Sequence, residues 1–181
     1  MRAPGADDDA SGVVTLLETL RLLFQSSFTP SSSLEFHFYS AEEGGLLGSQ
    51  AIASSYESSS KKVYAMLQQD MTAYVKPNTK ERAGLVSDFT SPALTEFISM
   101  LVESYTYLEP VQTKLGYAAS DHASWFKIGV PSAFAVEAPY DDCNLRNIHT
   151  SGDRFDIEDY SFNHLLEFVK LSSGFAVELT A

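Results

Sequence analysis

The sequence predicts an α/β fold, a sandwich of helices against a central sheet with its functional site on one edge of that sheet. Three observations carry this. Short apolar runs with a period of two alternate along the chain with longer runs at helical spacing. Clusters of Gly, Pro and Ser punctuate them. Acidic residues recur where the extended runs end, which is where open α/β sheets carry their sites.

Each element follows from local pattern. Asp9 is a good N-cap, and Val13, Val14, Leu16, Leu17, Leu20, Leu23 and Phe24 behind it predict a buried helix whose positive end faces Asp7, Asp8 and Asp9. Ser31, Ser32 and Ser33 after Pro30 make a loop. Residues 34–39 then alternate as a strand, with Glu42-Glu43-Gly44-Gly45 just past its end. A helix over about 46–56 and a Ser-rich turn lead to a strand over 63–69, which delivers Asp70. A strand over 84–89, a helix over about 92–107 and strands over 111–115 and 131–137 continue the alternation. The acids Asp156, Glu158 and Asp159 open a terminal helix that runs to about Leu179. No internal repeat or linker interrupts the series.

Composition narrows the class. A chain of 181 residues, 44% hydrophobic and 12% aromatic, can bury a core, and its length suggests one domain over 1–181. Acidic residues outnumber basic ones 24 to 12, for a net charge of −12, and no Lys/Arg run offers a footing for nucleic acid. Nothing apolar approaches the roughly 20 residues that cross a bilayer. The opening Met1-Arg2-Ala3-Pro4-Gly5-Ala6-Asp7 is not a signal peptide. Neither nucleic acid nor membrane is therefore expected as a partner. Cys143 is the only cysteine, so no internal disulfide forms, and it reads as a small half-buried side chain.

The chemistry-bearing residues are Asp7-Asp8-Asp9, Glu42-Glu43, Asp70 and His149. Two divalent cations about 3.5–4 Å apart need a bridging carboxylate, further carboxylates or imidazoles on each side, and a base. Zinc takes these nitrogen and oxygen donors readily. Taken singly, each group has a plainer reading: a helix cap, a solvated turn, a strand-end residue, a surface histidine. His37 and His164 keep that plainer reading, and Asp121-His122 reads as a supporting pair rather than as ligands.

Ordered motifs decide between these. Pro4-Gly5-Ala6-Asp7-Asp8-Asp9-Ala10-Ser11-Gly12, Tyr39-Ser40-Ala41-Glu42-Glu43-Gly44-Gly45-Leu46-Leu47-Gly48-Ser49, Gln69-Asp70-Met71-Thr72, Gly116-Tyr117-Ala118-Ala119-Ser120-Asp121-His122-Ala123-Ser124-Trp125 and Ile148-His149-Thr150 resemble the secreted di-zinc leucine aminopeptidases of peptidase family M28. The likeness runs over almost the whole chain. It implies a three-layer α/β/α sandwich of zinc-peptidase type with a mixed, mostly parallel sheet. It implies Asp8 as the bridging zinc ligand, Glu43 and His149 completing one zinc, and Asp70 serving the second. Glu42 matches the general acid/base that takes a proton from water and returns it to the departing amine. Tyr117 matches the hydrogen-bond donor to the developing oxyanion. Met71, Val86, Leu115, Val136, Tyr140 and Ile148 match an apolar pocket for the first side chain of the peptide. The implied substrates are peptides with a free N-terminus and a leucine-like first residue, and the implied location is extracellular.

The sequence also departs from the family pattern. The family's second zinc uses a histidine in a His-x-Asp segment upstream of Asp8, and this chain begins seven residues before Asp8. One zinc site is therefore expected to be incomplete, and the domain to lack its first strands and helix. Leu115 and Ala119 stand where some relatives pair cysteines. A weak or silent protein binding one zinc tightly, with exposed core surface and self-association, is the corresponding alternative. A co-catalytic zinc carboxypeptidase or deacylase on the same fold is another.

Overall fold

A computed structural model describes residues 3–181; Met1 and Arg2, which begin the segment read as no signal peptide, lie outside them. Helix α1 spans Ala10–Gln25, capped by the Asp9 carboxylate, which accepts from the Gly12 N–H. Helix α2 covers Leu47–Ser58, β1 Met66–Gln69, β2 Arg82–Val86 and α3 Pro92–Tyr105. There follow β3 (Glu109–Thr113), α4 (His122–Lys127), β4 (Ser132–Val136) and α5 (Phe162–Thr180). Proline in the first turn of α3 costs nothing, because that N–H has no helical partner anyway.

The four strands form one mixed sheet in the order β1-β4-β2-β3. β1 runs parallel to β4 and β2 parallel to β3, while β2 and β4 are antiparallel. Period-two alternation sends each strand's residues to two faces. On one face Ala83, Leu85, Ala133 and Ala135 pack with Ile98 and Val102 of α3 and Phe168 and Leu171 of α5. On the other, Val86, Phe134 and Val136 form a second cluster, and Ala53 of α2 meets Trp125 of α4. Each large side chain removed from water contributes about 1.5–3 kcal/mol. The result is the expected helix-sheet-helix layering. All five residues of β4 are buried, as the continuous apolar run of a central strand requires.

Several expectations are corrected. Residues 34–39 alternate like a strand but pair with nothing in a ladder among the described residues. A strand exists through its hydrogen-bonding neighbour, which pattern alone cannot supply. Helix α1 buries only part of its apolar side: Leu23 is buried, and Leu16 and Leu20 are half-buried. Ser11, Thr15 and Thr19 face inward, while Val13, Val14, Leu17 and Phe24 are exposed. The small inward residues bond rather than merely pack: the Ser11 hydroxyl accepts from the Thr72 N–H at 2.8 Å, and the Thr15 and Thr19 hydroxyls are also engaged. Helix α5 starts at Phe162 and not at the acidic run, because the Ser161 hydroxyl accepts from the His164 N–H and caps it there. The short α4 gave no helical period to detect. β1 starts at Met66, later than residue 63, because Met66 makes the first bond to the β4 side, to the Pro131 carbonyl at 2.9 Å. β2 and β3 begin and end two or three residues earlier than expected.

Since β1 is an edge strand, its outer side is open. Beside it lies a groove of about 1000 Å³, walled by α1, by the extended segment 32–39 and by the end of α5, with Leu16, Phe36, Phe38, Leu67 and Phe175 along it. No described helix is long and apolar enough to cross a membrane.

Candidate active site and metal centre

Four segments distant in sequence converge at one end of the groove: the start of α1, the turn before α2, the end of β1 and the loop between β4 and α5. His149 Nε2 lies 3.0 Å from Asp8 Oδ2 and 2.9 Å from Glu43 Oε1. Ligand atoms of these three residues all fall within 4.8 Å of one another, and they are the group among the described residues with that property. The sequence-stated trio of Asp8, Glu43 and His149 is thus brought together, and Asp70 stands outside it. Asp70 is buried within the field of Asp8, with Oδ2 accepting the Ser120 hydroxyl at 2.6 Å and Oδ1 without a partner.

The electrostatics are those of crowded acids. Burial, and then the charge of Glu43, push the Asp8 carboxyl up to about 6, with His149 opposing. Burial, followed by Asp121, Glu43 and Asp8, pushes Glu42 up to about 7. Asp70 is raised well above the usual carboxylate range by burial and by Asp8, with the Ser120 hydroxyl opposing. Asp9 is raised by burial and by Asp70, although it accepts from the Met71 N–H at 3.2 Å. Asp8, Asp9, Glu42, Glu43 and Asp70 thus crowd their negative charge into one region, and a bound cation would relieve it. Carboxylate and imidazole donors at these spacings fit zinc, and the orphaned Asp70 Oδ1 is an unsatisfied buried acceptor of the sort a cation would engage.

The remaining sequence-stated residues sit around this cluster unevenly. Tyr117 is 58% exposed, and its hydroxyl is raised by burial first and then by Tyr140, Glu42, Asp70 and Asp8, so it shares their field. Val86 and Val136 are fully buried, packed beneath partly buried Met71 and Leu115. They back an apolar wall and offer no surface of their own. Tyr140 and Ile148 are half-buried on the loop after β4, and Tyr140 lines a separate hollow of about 520 Å³ with Thr113 and Lys114. His122 is buried with Nε2 donating to the Asp88 carbonyl at 3.1 Å, and His164 is buried between Glu81 and the Glu137 carbonyl. His37 stacks edge-on with Tyr39, Tyr56 and Trp125. Cys143 is half-buried, its thiol pushed up by burial.

Asp9 reads in the sequence as a helix cap among the acids and Asp121 as half of a supporting pair, but the burial that raises both exists only in the fold. Backbone conformation at the site escaped the sequence altogether. Ala41, Met71 and His149 adopt φ of +57°, +59° and +60°, left-handed conformations that non-glycine residues rarely take. They stand beside Glu42, after Asp70 and at a member of the trio. Such conformations persist where surrounding structure over-determines them, and they gather at functional sites. No residue type signalled them, since glycine is the usual marker and none stands there.

Comparison with known proteins bears on the family and the fold. The model of peptidase family M28 matches residues 1–172. The chain is 49% identical over 185 residues to leucine aminopeptidase 1 of Coccidioides posadasii, covering 98% of this chain and 47% of that protein. It is 50% identical over 185 residues to leucine aminopeptidase 1 of Emericella nidulans, with the same shares covered. Thus it spans about half the length of the curated relatives it matches. Among solved structures, the LapA aminopeptidase of Legionella pneumophila superposes with a TM-score of 0.92 at 34% identity, over 98% of this chain and 47% of that one. A zinc aminopeptidase of Bacillus subtilis shares the fold, at a TM-score of 0.80 and 24% identity, over 98% of this chain and 43% of that one.

Proposed function

This chain belongs to peptidase family M28, and we propose from that premise that it serves metal-dependent removal of an apolar, leucine-like N-terminal residue from peptides. The observation that carries the reading is the Asp8, Glu43 and His149 cluster, with Glu42 raised to about 7 beside it. Zinc is the metal the donor set favours, and a structural relative is named a zinc aminopeptidase. The ion, when bound, supplies Lewis-acid chemistry, polarising a peptide carbonyl and making water a nucleophile near neutral pH.

The chain's own residues supply the rest. Asp8, Glu43 and His149 hold the ion, and Asp70 serves a second position. Glu42 is matched to taking a proton from water and handing it to the departing amine near pH 7. Tyr117 donates a hydrogen bond to the oxygen that gains charge. Met71 and Leu115, backed by Val86 and Val136, receive the first side chain. Peptides with a free N-terminus are the partners, and the place of action is extracellular, as the resemblance implies.

A second reading has an observation of its own. Asp70 belongs to no group of three metal-binding side chains among the described residues, which favours a protein that holds one zinc tightly and turns over weakly. Metal counting after dialysis, beside an assay on a leucine arylamide, separates the two. Two retained zincs with rapid turnover support the enzyme; one zinc with little turnover supports the weaker form. No retained metal would remove both.

A further inference from the structure

Asn144 is fully buried on the loop between β4 and α5, and every polar atom it has is engaged. Its Nδ2 donates to Asp7 Oδ2 at 2.9 Å, and its Oδ1 accepts from Asn147 Nδ2 at 2.7 Å. The Asn144 N–H donates to Glu137 Oε1 at 2.8 Å. Its carbonyl accepts from the N–H groups of Asn147 at 3.1 Å and Ile148 at 3.2 Å, closing the turn that ends in His149. Asp7, adjoining Asp8, accepts from the Ala73 N–H at 3.1 Å, three residues past Asp70. A second tie comes from buried Asp153, whose Oδ1 accepts from the Asp7 N–H at 2.9 Å and whose Oδ2 accepts from the Asp8 N–H at 3.1 Å.

Asp8 and His149 lie near opposite ends of the chain, so no local structure fixes their separation. We propose that Asn144 and Asp153 are positioning residues that set the Asp8 to His149 spacing, and with it the affinity of the metal centre. Asn144 locks the turn before His149 and joins it to Asp7. Asp153 holds the two N–H groups that fix the backbone at Asp8. Both act on the loops before any ion arrives, so binding does not have to order them, and a preorganised site binds more tightly for that reason. Buried amide and carboxylate partners suit the task because each has a fixed number of bonds to satisfy, and a shifted loop would leave one unmade. The inference rests on the reading that Asp8, Glu43 and His149 hold zinc.

The test uses the full chain stripped of metal, with zinc affinity from chelator competition and the visible absorption of the cobalt(II)-loaded protein. Asn144→Ala is expected to bind zinc about 10- to 100-fold more weakly, the usual effect of removing a group that orients a ligand, and to alter the cobalt spectrum. Asp153→Asn, which keeps one acceptor oxygen, shifts both readouts the same way by less. Ile98→Ala, in the core between α3 and the sheet, lowers thermal stability and leaves affinity and spectrum unchanged. A folded Asn144→Ala protein with the parent's affinity and spectrum overturns the inference, as does an equal loss in Ile98→Ala. If Asn144→Ala does not fold, Asp153→Asn decides by the same measure. A parent chain that binds no zinc sinks the metal reading itself, whereas a binding parent with indifferent variants sinks only the positioning role.

Discussion

A β-carbon on Gly12 would stand 2.4 Å from the Gln69 carbonyl oxygen, so the first turn of α1 rests directly on the end of β1. The same β-carbon would meet Asp9 Oδ1, also at 2.4 Å. Both contacts belong to groups that cannot move freely, one backbone and one a cap bonded to the Gly12 and Met71 N–H groups. Gly12→Ala is therefore expected to cost about 1–3 kcal/mol, the range of an overpacked site. Thermal unfolding should show a melting temperature lower by several degrees. An unchanged melting temperature would mean that α1 does not abut the strand.

Glu42 is assigned the proton transfer and none of the metal binding, so the two functions should separate. In Glu42→Gln, turnover of a leucine arylamide falls by about 10²- to 10⁴-fold, the usual worth of a positioned general base. Zinc content after dialysis stays that of the parent. Unchanged turnover refutes the assignment.

His122 gives a pH dependence with a definite sign. Burial against Phe134 pushes its imidazole down to about 4, with the Asp88 carbonyl and charge opposing. Between that value and the roughly 6.5 of an unfolded histidine, the unfolded chain binds a proton that the folded one refuses. This contribution to stability is complete above about 6.5 and is lost as pH falls through about 4. Urea unfolding from pH 7 to pH 4 should cost the parent about 3 kcal/mol more than His122→Phe. Parallel curves for the two proteins would show that the ring is not held neutral.

The outward side of α1 and the open edge of β1 present apolar surface and unpaired backbone, the two features that invite association. Phe24 is 76% exposed and Leu17 50%. The chain is expected to self-associate, with a light-scattering mass that rises with concentration and falls back toward the monomer in Leu17→Glu/Phe24→Glu. A monodisperse monomer for the parent over the concentration range would count against it.

Much of the layering was legible because helices and strands carry their own periods. Residues of α3 and β4 bury the positions their patterns indicate. Residues 34–39 show the limit, since alternation describes a face and not a partner, and no ladder forms there among the described residues. Helix α1 shows another: Val13, Leu17 and Phe24 make a sound apolar stripe, yet the face turned toward α5 and Thr72 is the one with Ser11, Gly12, Thr15 and Thr19, joined by Leu23. The acidic run before α5 read as a helix start because acids favour that end, but Ser161 supplies the actual cap.

The sequence by itself determined the donor set: which acids and which histidine could meet, and the family whose motifs they follow. Residue identity and spacing carry that chemistry whatever the packing. Only the tertiary structure decided that Asp8, Glu43 and His149 share a single point while Asp70 is buried outside that group. It also decided that burial and neighbouring acids push Glu42 up to about 7, and that Asn144 and Asp153 bond to the segment carrying Asp8. These properties depend on desolvation and on distances between segments far apart in the chain, and neither quantity exists until the chain has folded.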